Sequence, residues 1–268
     1  MKEVTYMFKK TTIAVAAVAL LFTGCGQTKT AGSHLDRIKN AGKLVVGLEG
    51  DWQPFSFHDE NDNLIGFDVE VAQNIAEILG VKAEIIEGPW DGLLAGESAG
   101  TYDIIVNGVD VTPERQETYD FSDPYAYDRA VLVTAAGNEE IKTFTDLSGK
   151  TTANSTGSTY MEIGELYGAT VKGVDTLAET MTMVKNGQVD ATINASTSVQ
   201  DYLMTTGETG VVVVAKMEEV TPYAIPLVKG EDNAELKDAI NDALKQMRES
   251  GKLAELSKKY FGEDLTKE

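Results

Sequence analysis

The chain has one cysteine, two histidines and two tryptophans in 268 residues, and 23 basic residues against 43 acidic ones. A single thiol excludes an internal disulfide, so the fold must be held by its apolar core. So few ligands build no Cys₂His₂ or His-Glu-x-x-His spacing, and neither a metal nor another cofactor is implied. The deficit of positive charge argues against nucleic acid, whose binding rests on neutralised phosphates. It argues equally against electrostatic adhesion to anionic lipid. No apolar run reaches the ~20 residues that cross a bilayer as an anchor. The apolar stretch near the start, Ile13 to Phe22, is only half that length.

That stretch reads as an address rather than as part of the fold. Lys9-Lys10 precede it, and Phe22-Thr23-Gly24-Cys25 closes it. The four residues resemble a bacterial lipobox, with Phe22 standing where Leu is usual. Residues 1–24 are therefore expected to be a lipoprotein signal peptide, with Met1 or Met7 as its start. Cys25 is expected to be lipidated, holding the exported chain on the outer face of the cell membrane. Residues 25–34 are polar and without apolar periodicity, and read as a flexible tether. Removing residues 1–24 deletes three Lys and one Glu, leaving 20 basic and 42 acidic residues, a formal charge of −22.

Beyond the tether, short β-rich runs alternate with helical periodicities. Leu44–Val46, Ala83–Glu87 and Asp103–Val106 read as strands. Phe67–Leu79 reads as a helix ended by Gly80, with Phe67, Val71, Ile75, Ile78 and Leu79 on one face. A second series runs from Ala130 to Ala215, and Leu236, Ile240, Leu244 and Met247 form the stripe of a late helix. Such alternation predicts an α/β chain of mostly parallel sheets flanked by helices, in two lobes. Lobe 1 is expected over 35–128 plus 220–268 and lobe 2 over 129–219. Parallel sheets bind ligands beyond the carboxyl ends of their strands.

Two turns after strands carry anion chemistry. In Asn107-Gly108-Val109-Asp110-Val111-Thr112-Pro113-Glu114-Arg115, Thr112 reads as an N-cap and Pro113 as the first helical residue. Arg115 then falls in a first helical turn, where a cation is disfavoured. An anion should offset it, either a local acid such as Glu114 or Asp120 or an external one. In Asn154-Ser155-Thr156-Gly157-Ser158-Thr159-Tyr160, Gly and hydroxyl residues precede a helix and leave backbone N–H groups free. An ordinary hydroxyl cap explains one such turn; two together suit a clamp on a carboxylate. Trp52 and Trp90 each follow a strand beside Gly, Pro and Asp, which suits the lips of a crevice better than a core.

The matching stretches are "LVVGLEGDWQPFSFHDENDNLIGFDVEVAQNIAEILG", "PWDGLLAG", "YDIIVNGVDVTPERQETYDFSDPYAY", "DLSGKTTANSTGSTY", "VKNGQVDATIN" and "LAELSKKYFGEDL". In order and over the whole mature chain, they resemble the polar amino-acid family (family 3) of bacterial extracellular solute-binding proteins. The resemblance implies a two-lobe periplasmic-binding-protein fold of type II with two hinge crossovers, closing on a free amino acid. It implies that Arg115 grips the α-carboxylate, helped by Thr159, Ser158 and backbone near Gly108 and Asp110. Trp52 and Trp90 would hold the side chain, and Glu49 would meet a polar or cationic end. Family members usually carry an Asp in the second lobe for the α-ammonium, just after Ile193-Asn194; here that residue is Ala195. Asp110 stands where Ser or Thr is common. Either Asp110 takes over the ammonium, or it is an exposed loop acid paired with Arg115.

The resemblance further implies a monomeric, membrane-tethered receptor. It would deliver its ligand to an ABC permease whose partner subunits hydrolyse ATP. Hinges are expected near Tyr127–Arg129 and Met217–Thr221, with Asn194 reaching the ligand from lobe 2. "VVGLEGDWQPFSFHDE" and "ANSTGSTY" resemble the cystine- and cysteine-binding branch; a glutamine or basic amino-acid binder also fits. A dehydratase of prephenate-like acids is a rival on the same fold. Asp110, Glu49 and Asp91 are candidate acids for it, but no nucleophile–base pair is seen. His34 falls in the tether, and His58 in a polar turn. A surface adhesin or signalling co-receptor is a second rival.

Overall fold

The computed structural model describes residues 32–268. The expected signal peptide, Cys25 and tether residues up to 31 lie outside the described residues. The last two residues of the expected tether belong to the fold instead. Ser33 caps helix α1 (His34–Ala41) in a reciprocal capping box with Asp36. His34 is fixed by Asp103 at 2.8 Å and Asn233 at 2.6 Å. Polar composition misled here because caps and loops draw on the same residues.

The first sheet is built on β1 (Lys43–Leu48), whose Leu44, Val46 and Leu48 are fully buried. A hairpin, β2 (Phe57–His58) and β3 (Leu64–Ile65), leads into α2 (Phe67–Leu79). Phe67, Val71 and Ile75 are buried as the periodicity predicts, while Ile78 is 37% exposed. Gly80 ends α2 in the left-handed region, at φ 77. Next come β4 (Lys82–Glu87), α3 (Trp90–Ser98) and β5 (Ile104–Ile105). The strands pair in parallel in the order β4-β1-β5. A single helical turn, α4 (Arg115–Thr118), precedes β6 (Tyr119–Phe121) and β7 (Ala126–Asp128).

The second sheet follows. Its elements are β8 (Ala130–Ala135), a 3₁₀ turn (Phe144–Leu147), β9 (Thr151–Ser155), α5 (Thr159–Leu166) and β10 (Thr170–Val174). They continue with α6 (Leu177–Lys185), β11 (Ala191–Ala195), α7 (Ser196–Thr206) and β12 (Val211–Lys216). The order is β10-β9-β11-β8-β12, with β8 antiparallel to both neighbours and the other strands running one way. Both faces of β8 are covered, as side-chain alternation requires. Val131 and Val133 pack with Met181, Val184 and Val199, and Ala130 and Leu132 with Ile141, Leu147 and Ile193.

The chain returns through β13 (Thr221–Tyr223) and β14 (Pro226–Val228), which pair antiparallel with β7 and β6. The β7–β13 ribbon adjoins the two segments, 128–130 and 216–221, through which the chain passes between the sheets of this two-lobe type II fold. Helices α8 (Glu231–Glu249) and α9 (Lys252–Phe261) complete it. Leu236, Ile240, Leu244 and Met247 are all buried, in the same core as α2 and β1. Among the described residues, no helix is long and apolar enough to cross a membrane.

Candidate functional site

The carboxyl ends of β1 and β5 face the turn between β9 and α5 across one cavity. Eight of the nine residues singled out by sequence line it: Glu49, Trp52, Trp90, Gly108, Asp110, Ser158, Thr159 and Asn194. The ninth, Arg115, lies beside it, its guanidinium carbon 5.2 Å from the centre of the Trp90 ring. The cavity measures ≈40 Å³, little more than the ~30 Å³ share of one liquid water.

Each wall residue is held by local chemistry. The Trp52 ring stacks on Phe55, 4.1 Å between centroids and 13° from parallel. It also faces Gly108, at φ +51, where a Cβ would stand 2.6 Å from the Trp52 ring. Only glycine accepts both that conformation and that approach. The Gly108 N–H donates to the Tyr125 hydroxyl at 2.9 Å, and that hydroxyl donates to Asp68 at 3.0 Å. Glu49 is clamped reciprocally by Asn107. Its N–H donates to Asn107 Oδ1 at 2.8 Å, and Asn107 Nδ2 donates to Glu49 Oε2 at 2.7 Å. Burial pushes the Glu49 carboxyl up to about 7, against the Asn107 bond, which lowers it.

Thr112 caps the turn that carries Arg115, as its sequence position predicts. Its Oγ1 accepts from Arg115 N at 3.2 Å, and its carbonyl from Gln116 N at 2.9 Å. Regular helix starts later than expected, at Arg115, and lasts one turn. The Arg115 side chain is buried, 8% exposed, and donates to two carbonyls, Asp110 O at 3.2 Å and Gly157 O at 3.4 Å. Neither Glu114 nor Asp120 pairs with it, and among the described residues no carboxylate forms a salt bridge to it. A desolvated guanidinium with only carbonyl partners favours an anion strongly.

Asp110 is not the exposed loop acid that one reading allows. It is 6% exposed, and its carboxylate accepts from the Thr159 hydroxyl rather than from Arg115. Burial raises its pKa to about 6; the Thr159 bond and the Arg115 charge oppose that rise. Ser158 caps α5 through its hydroxyl, which accepts from Met161 N at 3.2 Å. The N–H groups of Thr159 and Tyr160 then head α5 without intrahelical acceptors. Asn194 turns its Oδ1 onto Ala195 N at 2.9 Å, and Ala195 is fully buried.

Sequence reasoning missed Asp51, Asn107, Ser155, Tyr160, Thr176 and Leu177, which also line the cavity. Thr176 and Leu177 follow β10, so the strand-end rule that found Arg115 could have found them. Asp128 was missed too. It is 5% exposed at the crossover and accepts from the Thr197 N–H at 3.2 Å. Among the described residues, no cluster of three or more His, Cys, Asp or Glu is placed to hold a metal ion.

Known proteins are similar to this chain over nearly its whole length. The family model of bacterial extracellular solute-binding proteins, family 3, matches residues 44–263. The L-cystine-binding protein TcyA of Bacillus subtilis is 39% identical over 262 residues, 95% of this chain and 97% of that protein. The crystal structure of a mutant ArgBP from T. maritima superposes with a TM-score of 0.79 at 33% identity, covering 86% of this chain and 100% of that one. The L-cystine solute receptor of Neisseria gonorrhoeae, in its unliganded open conformation, gives 0.60 at 38% identity, covering 89% and 100%. The chain is a member of the bacterial extracellular solute-binding proteins of family 3, exported receptors rather than enzymes.

Proposed function

We propose that this chain captures a free polar amino acid, cystine in preference, by hinge closure and hands it to an ABC permease. Arg115 takes the α-carboxylate with the N–H groups at the head of α5. Asp110 takes the α-ammonium in place of the acid missing at Ala195. Trp52 and Trp90 flank the side chain, and Glu49 meets its far end. Cystine fits the relatives whose names carry it, TcyA and the Neisseria gonorrhoeae receptor. One observation carries the reading: a buried guanidinium without a carboxylate partner stands beside a cavity walled by Asp110 and two tryptophans.

With lobe 1 over 35–128 plus 220–268 and lobe 2 over 129–219, the hinge lies beside the β7–β13 ribbon, where Asp128 pairs with Thr221. The open receptor is more identical to this chain than ArgBP, yet superposes less well. That contrast supports two rigid lobes joined by a mobile hinge. Closure is favoured because the ligand touches both lobes. A few charge-assisted bonds of about 1.5–3 kcal/mol, less the ordering costs, give roughly micromolar affinity or tighter. The receptor acts as a monomer, and a lipid on Cys25 keeps it at the membrane.

The test is to unfold the purified lipid-free protein and identify any amino acid released by mass spectrometry. Calorimetry with L-cystine, L-glutamine and L-arginine then ranks the ligands. Heat with at least one of them, abolished in Arg115→Ala, supports the reading; no heat with any amino acid rejects it. Cys25→Ala should release the receptor into the medium, and retention on cells would reject the lipid anchor.

A further inference from the structure

Glu49, in the cavity wall, and Asp68, in the core close by, are two carboxyls whose hydrogen-bond donors are all neutral. Glu49 is clamped by the Asn107 amide. Asp68, on α2, is fully buried; its Oδ1 accepts from Tyr125 and its Oδ2 has no partner. We propose that Glu49 surrenders a proton when a ligand sets a cationic group against it and keeps that proton when the ligand end is neutral. Cationic ligands then release the Glu49 proton on binding, and neutral ones do not. The inference rests on the reading of this cavity as an amino-acid site.

The geometry supplies the reason. A buried carboxylate without a counter-charge prefers its neutral form, and a second carboxyl nearby strengthens that preference. The charged groups around Glu49 are mostly acidic. Asp51 lies on its own loop and Asp68 on α2. Glu87, at the end of β4, packs against Gly50 and holds His58 at 3.5 Å. Asp110 forms another part of the wall. Arg115 is turned toward Trp90 and the carbonyls of Asp110 and Gly157. The ordinary Glu carboxyl, near 4.5, rises to about 7 at Glu49, and the Asp68 carboxyl to about 8. A ligand cation removes the penalty on Glu49 alone, because Asp68 has no exposed atom. The balance is a protonated Glu49 and a cationic ligand going to an ion pair and one solvent proton.

The experiment is calorimetry of the lipid-free mature chain with L-cystine, L-arginine and L-glutamine at pH 7, in phosphate and in Tris. The difference between buffers reads protons exchanged. About half a proton more should be released with cystine or arginine than with glutamine, which draws only on the roughly tenth of a proton that Asp110 holds at pH 7. Affinity for a cationic ligand should rise about tenfold from pH 6 to pH 8. Glu49→Gln should release only the roughly tenth of a proton that Asp110 still holds at pH 7, and its affinity should rise only about twofold over the same range. Asp51→Asn, which removes a like charge, should move the profile to lower pH. Equal buffer dependence in the wild type and Glu49→Gln would overturn the inference while leaving amino-acid binding intact. Absence of heat with all three ligands would instead remove the reading beneath it.

Discussion

The Thr159 hydroxyl donates to the Asp110 carboxylate, tying the first residue of α5 to the loop that follows β5. Two further contacts join the same corner: the Tyr160 and Tyr223 hydroxyls at 3.0 Å, and Arg115 with the Gly157 carbonyl. A ligand ammonium that reaches Asp110 must therefore share or displace the hydroxyl of Thr159. The carboxylate is already desolvated, so its ion pair forms without a further dehydration cost on the protein side.

Asp110→Asn should weaken ligand binding by two decades or more, as expected when one member of a buried charge pair is removed. The wild type should also lose affinity as pH falls through about 6, where Asp110 takes up a proton. Isothermal titration at pH 5, 6 and 7 reads both effects. Unchanged affinity in the variant would show that Asp110 does not hold the ammonium.

Arg115→Lys separates charge from shape. Lysine keeps the cation but not the planar fork that donates to Asp110 O and Gly157 O while lying over Trp90. Affinity should fall about 10–100-fold, a loss of about 1.4–2.7 kcal/mol. Calorimetry on the folded variant checks this, and full affinity would mean that point charge alone suffices.

Much of this was legible in the chain because its signals are local. Gly80 marks the end of α2 by its left-handed geometry, and the Leu236–Met247 stripe announces α8 by its period. Arg115 and the turn that carries Thr159 stand out in the sequence because each follows a strand in a turn of recognisable chemistry, whereas Asp110 stands out only through the family resemblance. What stayed hidden depends on the approach of distant segments. Nothing near Asp68 in sequence indicates that Tyr125, 57 positions on, would bond to it. The capture of His34 by Asp103, 69 positions away, is equally non-local. The partner of Asp110 also had to be seen, since burial and a hydroxyl 49 positions away decide its state.

Gly108→Ala should damage the site without touching any titratable group. The new Cβ would meet Trp52 at 2.6 Å, and Trp52 cannot retreat because Phe55 stacks behind it. The left-handed backbone adds about 1–2 kcal/mol for any residue with a Cβ. Binding should weaken at least about tenfold, with a shift in tryptophan emission as the Trp52 ring moves. Wild-type affinity and an unchanged spectrum would show that the loop yields freely.

Glu97 gives a prediction about stability that is independent of the ligand. It lies on α3 with one carboxyl oxygen accepting from Val228 N at 3.2 Å and the other without a partner. Burial pushes its pKa from the ordinary 4.5 up to about 8. The folded state therefore favours the protonated acid. The stabilisation is complete below the unfolded value, near 4.5, and is lost as pH rises through about 8. Glu97→Gln keeps an oxygen for Val228 N and cannot ionise. Calorimetric melting should find the two proteins alike near pH 5 and the variant ahead at pH 8. Each 1 kcal/mol of that advantage is about 2–4 °C for a chain of this size. Asp68 and Glu49 tilt both curves the same way and cancel in the difference. A gap between wild type and variant that does not change with pH would show that Glu97 stays in one protonation state throughout.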